Sequence, residues 1–315
     1  MNRPRIILAG GSGFLGTELR PIFESRGYDI IVLTRSEPGD TSQLRWDASS
    51  AGPWVSALEG ATAVVNLVGR SVDCRKTAAN KREILESRIH SVRALAEGFQ
   101  RCARPPAVWV QASTAHIYGD TDEQILDESS PIGTGFAPEV GRQWERALNE
   151  ADLPNVRKVI LRISFVLGRY GGALAKLARL TRFFLGGTVG SGQQYISWLH
   201  IDDLAKMILR AIEQSAMRGV YVATAPEPVP NRIFMRELRR ALGRPWTPPT
   251  PTPLVHLGSL LLRTDPTLAT LGRRCVPTRL LAEGFTFRHP HLREALADLL
   301  HRAPSDAAPV QEALT

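Results

Sequence analysis

Cysteine is scarce in this chain of 315 residues: there are three, Cys74, Cys102 and Cys275. They are far apart, odd in number and never spaced C-x-x-C. That argues against a disulfide framework or a structural zinc site, and for free thiols in a reducing compartment. No metal site is expected. No apolar run approaches the roughly 18–20 residues that a membrane span requires. Residues 6–9 are the only apolar run before Gly10, too short for a secretory leader. These absences point to a cytoplasmic protein with no membrane partner. The net charge is +8, yet its Arg and Lys are scattered and form no basic block. We therefore expect no nucleic-acid partner; a basic surface also suits an anionic small ligand.

Short apolar runs alternating with helical patterns are what the sequence does have. Residues 6–9, 29–34, 43–46, 63–68, 108–112 and 156–163 read as strands, most of them apolar on both faces. Residues 14–26, 79–101 and 139–150 read as the helices between them. The pattern predicts an α/β fold: a Rossmann-like, doubly wound parallel sheet with a smaller C-terminal substrate-binding part. The boundaries expected are 1–168 for the dinucleotide domain, with its sheet completed by 195–223, then 169–303 for the substrate side and 304–315 for a flexible tail.

The first strand runs into "LAGGSGFLG", which spaces Gly10, Gly13 and Gly16 as G-x-x-G-x-x-G before a helix. The first glycine permits the tight turn, the second lets backbone approach a pyrophosphate, and the third lets helix pack on strand. The helix N-terminus adds unpaired N–H groups and the positive end of a dipole. At the end of the second strand, an NAD site usually carries an acid. Here Arg35 stands in that place, and a guanidinium can pair with a 2′-phosphate. NADP(H) is therefore expected over NAD(H), with Glu37 close enough to weaken the preference.

These features, with "RWDAS", "NLVG", "ESRIHSVRAL", "LRISFVLGRYGG", "GGTVGSGQQYISWLHIDDLA" and "LAEGFTFRHPHLREALADLL", resemble the extended short-chain dehydrogenase/reductase superfamily. The chain looks most like its atypical, epimerase-like YfcH-type branch, over nearly its whole length. The resemblance implies a phosphate loop of Gly10, Ser12, Gly13, Phe14, Leu15 and Gly16. It implies Arg35 on the 2′-phosphate, Asp47 near the adenine, and Leu67, Val68 and Gly69 along the middle of the cofactor. It places Ser113 and Thr114 toward nicotinamide and substrate, and Tyr195 and Trp198 on the substrate side.

The superfamily's usual base is a Tyr with a Lys four residues on, because a free Tyr titrates near 10 and needs a cation to act near neutrality. By resemblance those positions are Ala137 and Gly141, so both are lost, as in the rest of the branch. Tyr118 is a candidate substitute, or else a packed aromatic. His116, which can donate or accept a proton at neutral pH, is either a local peculiarity or a surface histidine, and His200 reads as structural. Glu145 is expected to pack or pair near the site. Arg82 and Arg88 either reach an anionic group or lie on a solvated helix face. Ile196 stands where nucleotide-sugar relatives often carry Arg, which argues against such a substrate. Two readings follow: an NADP(H)-dependent oxidoreductase or epimerase of unassigned substrate, or a non-catalytic NADP(H)-binding sensor or scaffold. A homodimer is a candidate assembly for either.

Overall fold

The computed structural model describes residues 3–121, 123–244, 246–261 and 265–301. Seven strands form one sheet: β1 (Arg5–Ala9), β2 (Asp29–Thr34), β3 (Gln43–Arg45), β4 (Ala63–Asn66), β5 (Val108–Thr114), β6 (Arg157–Ile163) and β7 (Gly219–Ala223). Their spatial order is β7-β6-β5-β4-β1-β2-β3, and every neighbouring pair is parallel. The chain winds one way from β1 through β2 to β3 and the other way from β4 to β7. The carboxyl ends of β1 and β4 thus bound a crevice at the switch in direction, the place where such sheets bind ligands.

Parallel strands need crossovers, and the helices supply them. They are α1 (Phe14–Ser25), α2 (Ala78–Gln100), α3 (Phe136–Asn149), α4 (Gly172–Arg182), α5 (Ile201–Glu213) and α6 (Asn231–Ala241). α1 packs beside α5, and α2 beside α3, so a helical layer lies on each face of the sheet. This double cover is why Ile6, Ile7 and Leu8 of β1 and Ala63, Val64 and Val65 of β4 are all fully buried. α1 adds Leu19 and Phe23 to the same core.

The C-terminal part is continuous with this core. Leu292, Leu296 and Leu299, on the helix Leu292–His301, join the cluster that contains β1. Of residues 195–223, only β7 completes the main sheet, a correction to the expectation for the whole segment. Trp198–His200 instead pairs with Phe165–Leu167, and Tyr195–Ile196 with Val229–Pro230. The reason lies at Ser164, whose N–H donates to Ala223 while the next N–H, of Phe165, donates to Ser197. The chain leaves the main sheet at that residue. The expected tail from 304 lies outside the described residues. Among those described, no helix is long and apolar enough to cross a membrane.

Candidate functional site

The glycine turn lies at the carboxyl end of β1. Gly10 has φ +78°, and a Cβ there would come within 3.0 Å of the Leu67 and Val68 backbone. Its role is therefore fixed by the fold. A Cβ on Gly16 would lie 2.3 Å from Gly11 Cα, so this glycine lets α1 press onto the turn. Gly13 is different: a Cβ there would meet only Gly10 O, at 3.4 Å. Gly13 is also the N-cap of α1, makes no side-chain cap bond, and is followed by no acidic residue in the first turn. The protein leaves those helix-end N–H groups for something else, and an anion is what such an end attracts. This donor set fits the pyrophosphate of a dinucleotide. The Phe14 ring lies against Gly168 and Gly171 of the loop before α4 and Gly172 at its start, which leaves only its backbone to face the turn. Glu18 fastens that loop by accepting the Tyr170 N–H at 2.6 Å, and burial holds its carboxyl above the usual range.

Beside the turn, β2 and β3 present the charged end of the crevice. Thr34 Oγ1 accepts the Ser36 N–H at 3.2 Å and approaches Ser12 Oγ at 3.5 Å, tying the two turns together. Arg35 is exposed, and among the described residues no acidic group pairs with it. Glu37, the acid two residues on, is engaged by Arg45. Asp47 is exposed and closes its own turn, accepting from the N–H groups of Ser49 and Ser50 at 2.8 Å each. These bonds, with the Ser50 hydroxyl, hold its carboxyl far below the usual range.

The ends of β4 and β5 form the opposite wall. Asn66, fully buried, accepts the Val68 N–H at 3.1 Å and donates to Gln111 at 3.0 Å, which sets the path of Leu67, Val68 and Gly69. A Cβ on Gly69 would sit 2.8 Å from Cζ of Arg88. That guanidinium also lies 4.9 Å from the Trp144 ring centroid and gives Nη1 to the carbonyls of Arg70 and Ile84. Among the described residues it meets no carboxylate, and burial lowers its pKa to about 10. Of the two open alternatives for α2, Arg88 faces the crevice wall, whereas Arg82 is exposed.

Register places Ser113 beside Arg162. Ser113 Oγ donates to Glu145 at 2.6 Å, and Arg162 holds the same carboxylate through Nε and Nη2, both at 2.9 Å. Burial opposes the Arg162 charge, but Glu145 outweighs it and holds the guanidinium above its ordinary value. Arg162 Nη1 also donates to Tyr118 Oη at 2.9 Å, and that hydroxyl donates to the Asp127 carbonyl at 2.7 Å. Tyr118 is 1% exposed, and burial pushes it up to about 12 despite Arg162. With its hydroxyl satisfied in both directions and away from solvent, Tyr118 is a poor substitute base. The lost Lys position is closed as well: a Cβ on Gly141 would meet Ile117 at 2.9 Å.

Of the two alternatives for His116, the surface one does not hold. The residue is half-buried just after β5, where its N–H donates to Thr114 Oγ1 at 3.1 Å. Burial, then the charges of Arg273 and Lys76, push its imidazole down to about 3. Half-buried Tyr195 lies nearby along the chain of contacts, its carbonyl accepting the Arg273 N–H at 3.0 Å. Trp198 does not join them: it is fully buried in the main core and donates Nε1 to the Glu227 carbonyl at 2.9 Å, a correction to its expected substrate role.

His200 is structural, as expected: its Nδ1 accepts the Asp202 N–H at 3.0 Å and caps α5. His200, His289 and Asp298 bring ligand-type atoms within 4.8 Å of one another. An Nδ1 that accepts leaves the proton of a neutral ring on Nε2, the atom facing Asp298 at 3.5 Å. A protonated nitrogen offers a metal no lone pair, so this cluster fits a fastening between α5 and the C-terminal segment better than a metal centre.

Comparison with known proteins agrees with this geometry. A model described as the NAD dependent epimerase/dehydratase family matches residues 6–223, and a domain of unknown function, DUF1731, matches residues 250–299. The epimerase family protein SDR39U1 of Bos taurus is 34% identical over 303 residues, covering 94% of this chain and 99% of the relative. Among solved structures, human epimerase family protein SDR39U1 with NADPH superposes with a TM-score of 0.85 at 31% identity, covering 94% of this chain and 99% of that one. A nucleoside-diphosphate sugar epimerase from Corynebacterium glutamicum gives a TM-score of 0.78 at 29% identity, covering 95% of this chain and 58% of that one.

Proposed function

This chain belongs to the NAD dependent epimerase/dehydratase family, and from that premise we propose that it binds NADP(H) and acts on a small carbonyl or hydroxyl compound as an oxidoreductase or epimerase. The observation that carries the cofactor reading is the pairing of Glu37 with Arg45, which leaves Arg35 unpaired beside the glycine turn. The human relative crystallised with NADPH supports it. In this reading the N-terminal amides of α1 and the turn Gly10–Gly16 take the pyrophosphate. Arg35 takes the 2′-phosphate, Asp47 borders the adenine, and Leu67, Val68 and Gly69 line the middle.

The bound nicotinamide supplies or accepts a hydride. Thr114, half-buried at the end of β5, offers a hydroxyl to a substrate oxygen. Ser113 is a positioning residue, since its hydroxyl is committed to Glu145. Arg88 brings a cation to the wall at Gly69. The same reading puts the protein in the cytoplasm, consistent with its unpaired cysteines, as a candidate homodimer without nucleic-acid or membrane partners.

A second reading has one observation in its favour. Packing of Ile117 against Gly141 leaves no room for the usual Lys, which suits an NADP(H)-binding sensor without turnover. A screen of small carbonyl compounds with NADPH deuterated at nicotinamide C4 separates the two. Deuterium on product carbon is the result expected of the enzyme. Tight NADPH binding with no transfer to any compound would favour the sensor.

A further inference from the structure

One set of charged groups at the turn after β5 is left without a task. Arg273 Nε donates to the Gly119 carbonyl at 3.1 Å, and among the described residues its guanidinium meets no carboxylate at ion-pair distance. Its backbone is pinned on both sides: the N–H donates to Tyr195 O, and the carbonyl accepts from Ser197 Oγ at 2.8 Å. The side chain is therefore held in place, and burial lowers its pKa. A half-buried guanidinium with no acidic partner is costly in an isolated protein and is relieved by an arriving anion.

His116 belongs to the same place. Gly119 N–H donates to His116 O, so the Arg273 side chain is bonded to the same turn that carries His116. The imidazole has no hydrogen-bond partner among the described residues. The charged groups facing it are Arg273, Lys76 and Asp265. Lys76 is neutralised by Asp265 at 3.0 Å. Asp120 faces Arg273 from the exposed side, its carboxylate occupied by the Gly272 N–H at 2.9 Å. Arg273 is thus the one cation of the group with no carboxylate at ion-pair distance among the described residues.

We propose that Arg273 and His116 form a subsite for a carboxylate on the substrate, placed one turn beyond Thr114. This rests on the reading of the crevice as a substrate site. A guanidinium whose Nε is already engaged keeps its Nη donors for an oxyanion, and a neutral imidazole adds one N–H. A single guanidinium without an ion-pair partner suits a single carboxylate; a diphosphate would bring more negative charge than that one cation offsets. The substrate class is then a carboxylate-bearing carbonyl or hydroxyl compound.

The test is NMR of histidine-labelled, NADPH-saturated protein titrated with acetate, with inorganic phosphate, and with chloride as the ionic-strength control. The expected result is a saturable shift of the His116 ring signals with acetate, and an upward move of its titration midpoint. Arg273→Gln should weaken acetate at least tenfold while leaving NADPH affinity within about twofold. Arg273→Lys, which keeps the charge and guards against a folding defect, should fall between. Equal acetate affinity in wild type and Arg273→Gln overturns the proposal, as does a His116 signal indifferent to acetate. Tighter binding of phosphate than of acetate overturns the carboxylate assignment. If NADPH fails to bind, the cofactor reading falls, and the same titration on the unliganded protein still decides the subsite.

Discussion

Arg162→Met is the substitution that the site predicts in most detail. The Arg162 and Glu145 side chains are each 8% exposed and share two bonds of 2.9 Å. Removing one partner strands a buried charge, and such losses run to about 3–5 kcal/mol. That is a large share of the roughly 5–15 kcal/mol available to a domain. The hydroxyls of Ser113 and Tyr118, both bonded to this pair, lose their anchors at the same time. Urea unfolding followed by circular dichroism should show the midpoint fall with little change in slope. The double variant Arg162→Met/Glu145→Met should recover much of the loss, because the stranded charge goes with its partner. A single-variant cost below about 1 kcal/mol, or a double variant costing the sum of the two singles, would refute the view of this pair as one buried unit.

Three further outcomes follow from the same geometry. Gly10→Ala forces a side chain into φ +78° and against the Leu67–Val68 backbone, so it should cost about 1–3 kcal/mol of folding stability; urea unfolding reads it directly. Gly13→Ala should keep stability within about 1 kcal/mol yet weaken NADPH at least tenfold by titration, separating the glycine the fold needs from the glycine the ligand needs. The His200 pKa is lowered to about 4, first by burial and then by the stacked His289, so the neutral ring favours the fold. The stability this contributes is whole above the unfolded value near 6.5 and is lost as pH falls from there through about 4, by a few kcal/mol at most. His200→Asn, which keeps a capping side chain, should flatten that stretch of the stability–pH profile.

Much of the fold is legible locally. Apolar runs on both faces mark β1, β2 and β4, and the spacing of Gly10, Gly13 and Gly16 marks the turn, because each depends on near neighbours in sequence. Arg35 is legible for the same reason, although its freedom is not, since that depends on Glu37 reaching Arg45 across a loop. From the sequence, Tyr118 stays open between substitute base and packed aromatic, and the resemblance puts Trp198 on the substrate side. Their burial comes from partners far along the chain: Arg162 in one case and the Glu227 carbonyl in the other. The setting of His116 is not legible, because the Arg273 and Lys76 charges near it arrive from two other segments. The closed Lys position at Gly141 is legible as an absence, but the Ile117 side chain that fills the space is a fact of packing.

The central claim is that this crevice selects NADP(H) through Arg35. The most direct measurement is a fluorescence titration of the wild type and Arg35→Ala with NADPH and with NADH. Charge-assisted bonds to the 2′-phosphate are worth about 1.5–3 kcal/mol, which is on the order of tenfold to a hundredfold in affinity. The account predicts that NADPH binds at least tenfold tighter than NADH to the wild type, and that the variant loses the difference by weakening NADPH alone. Equal affinities in the wild type, or a variant that keeps the preference, would contradict it.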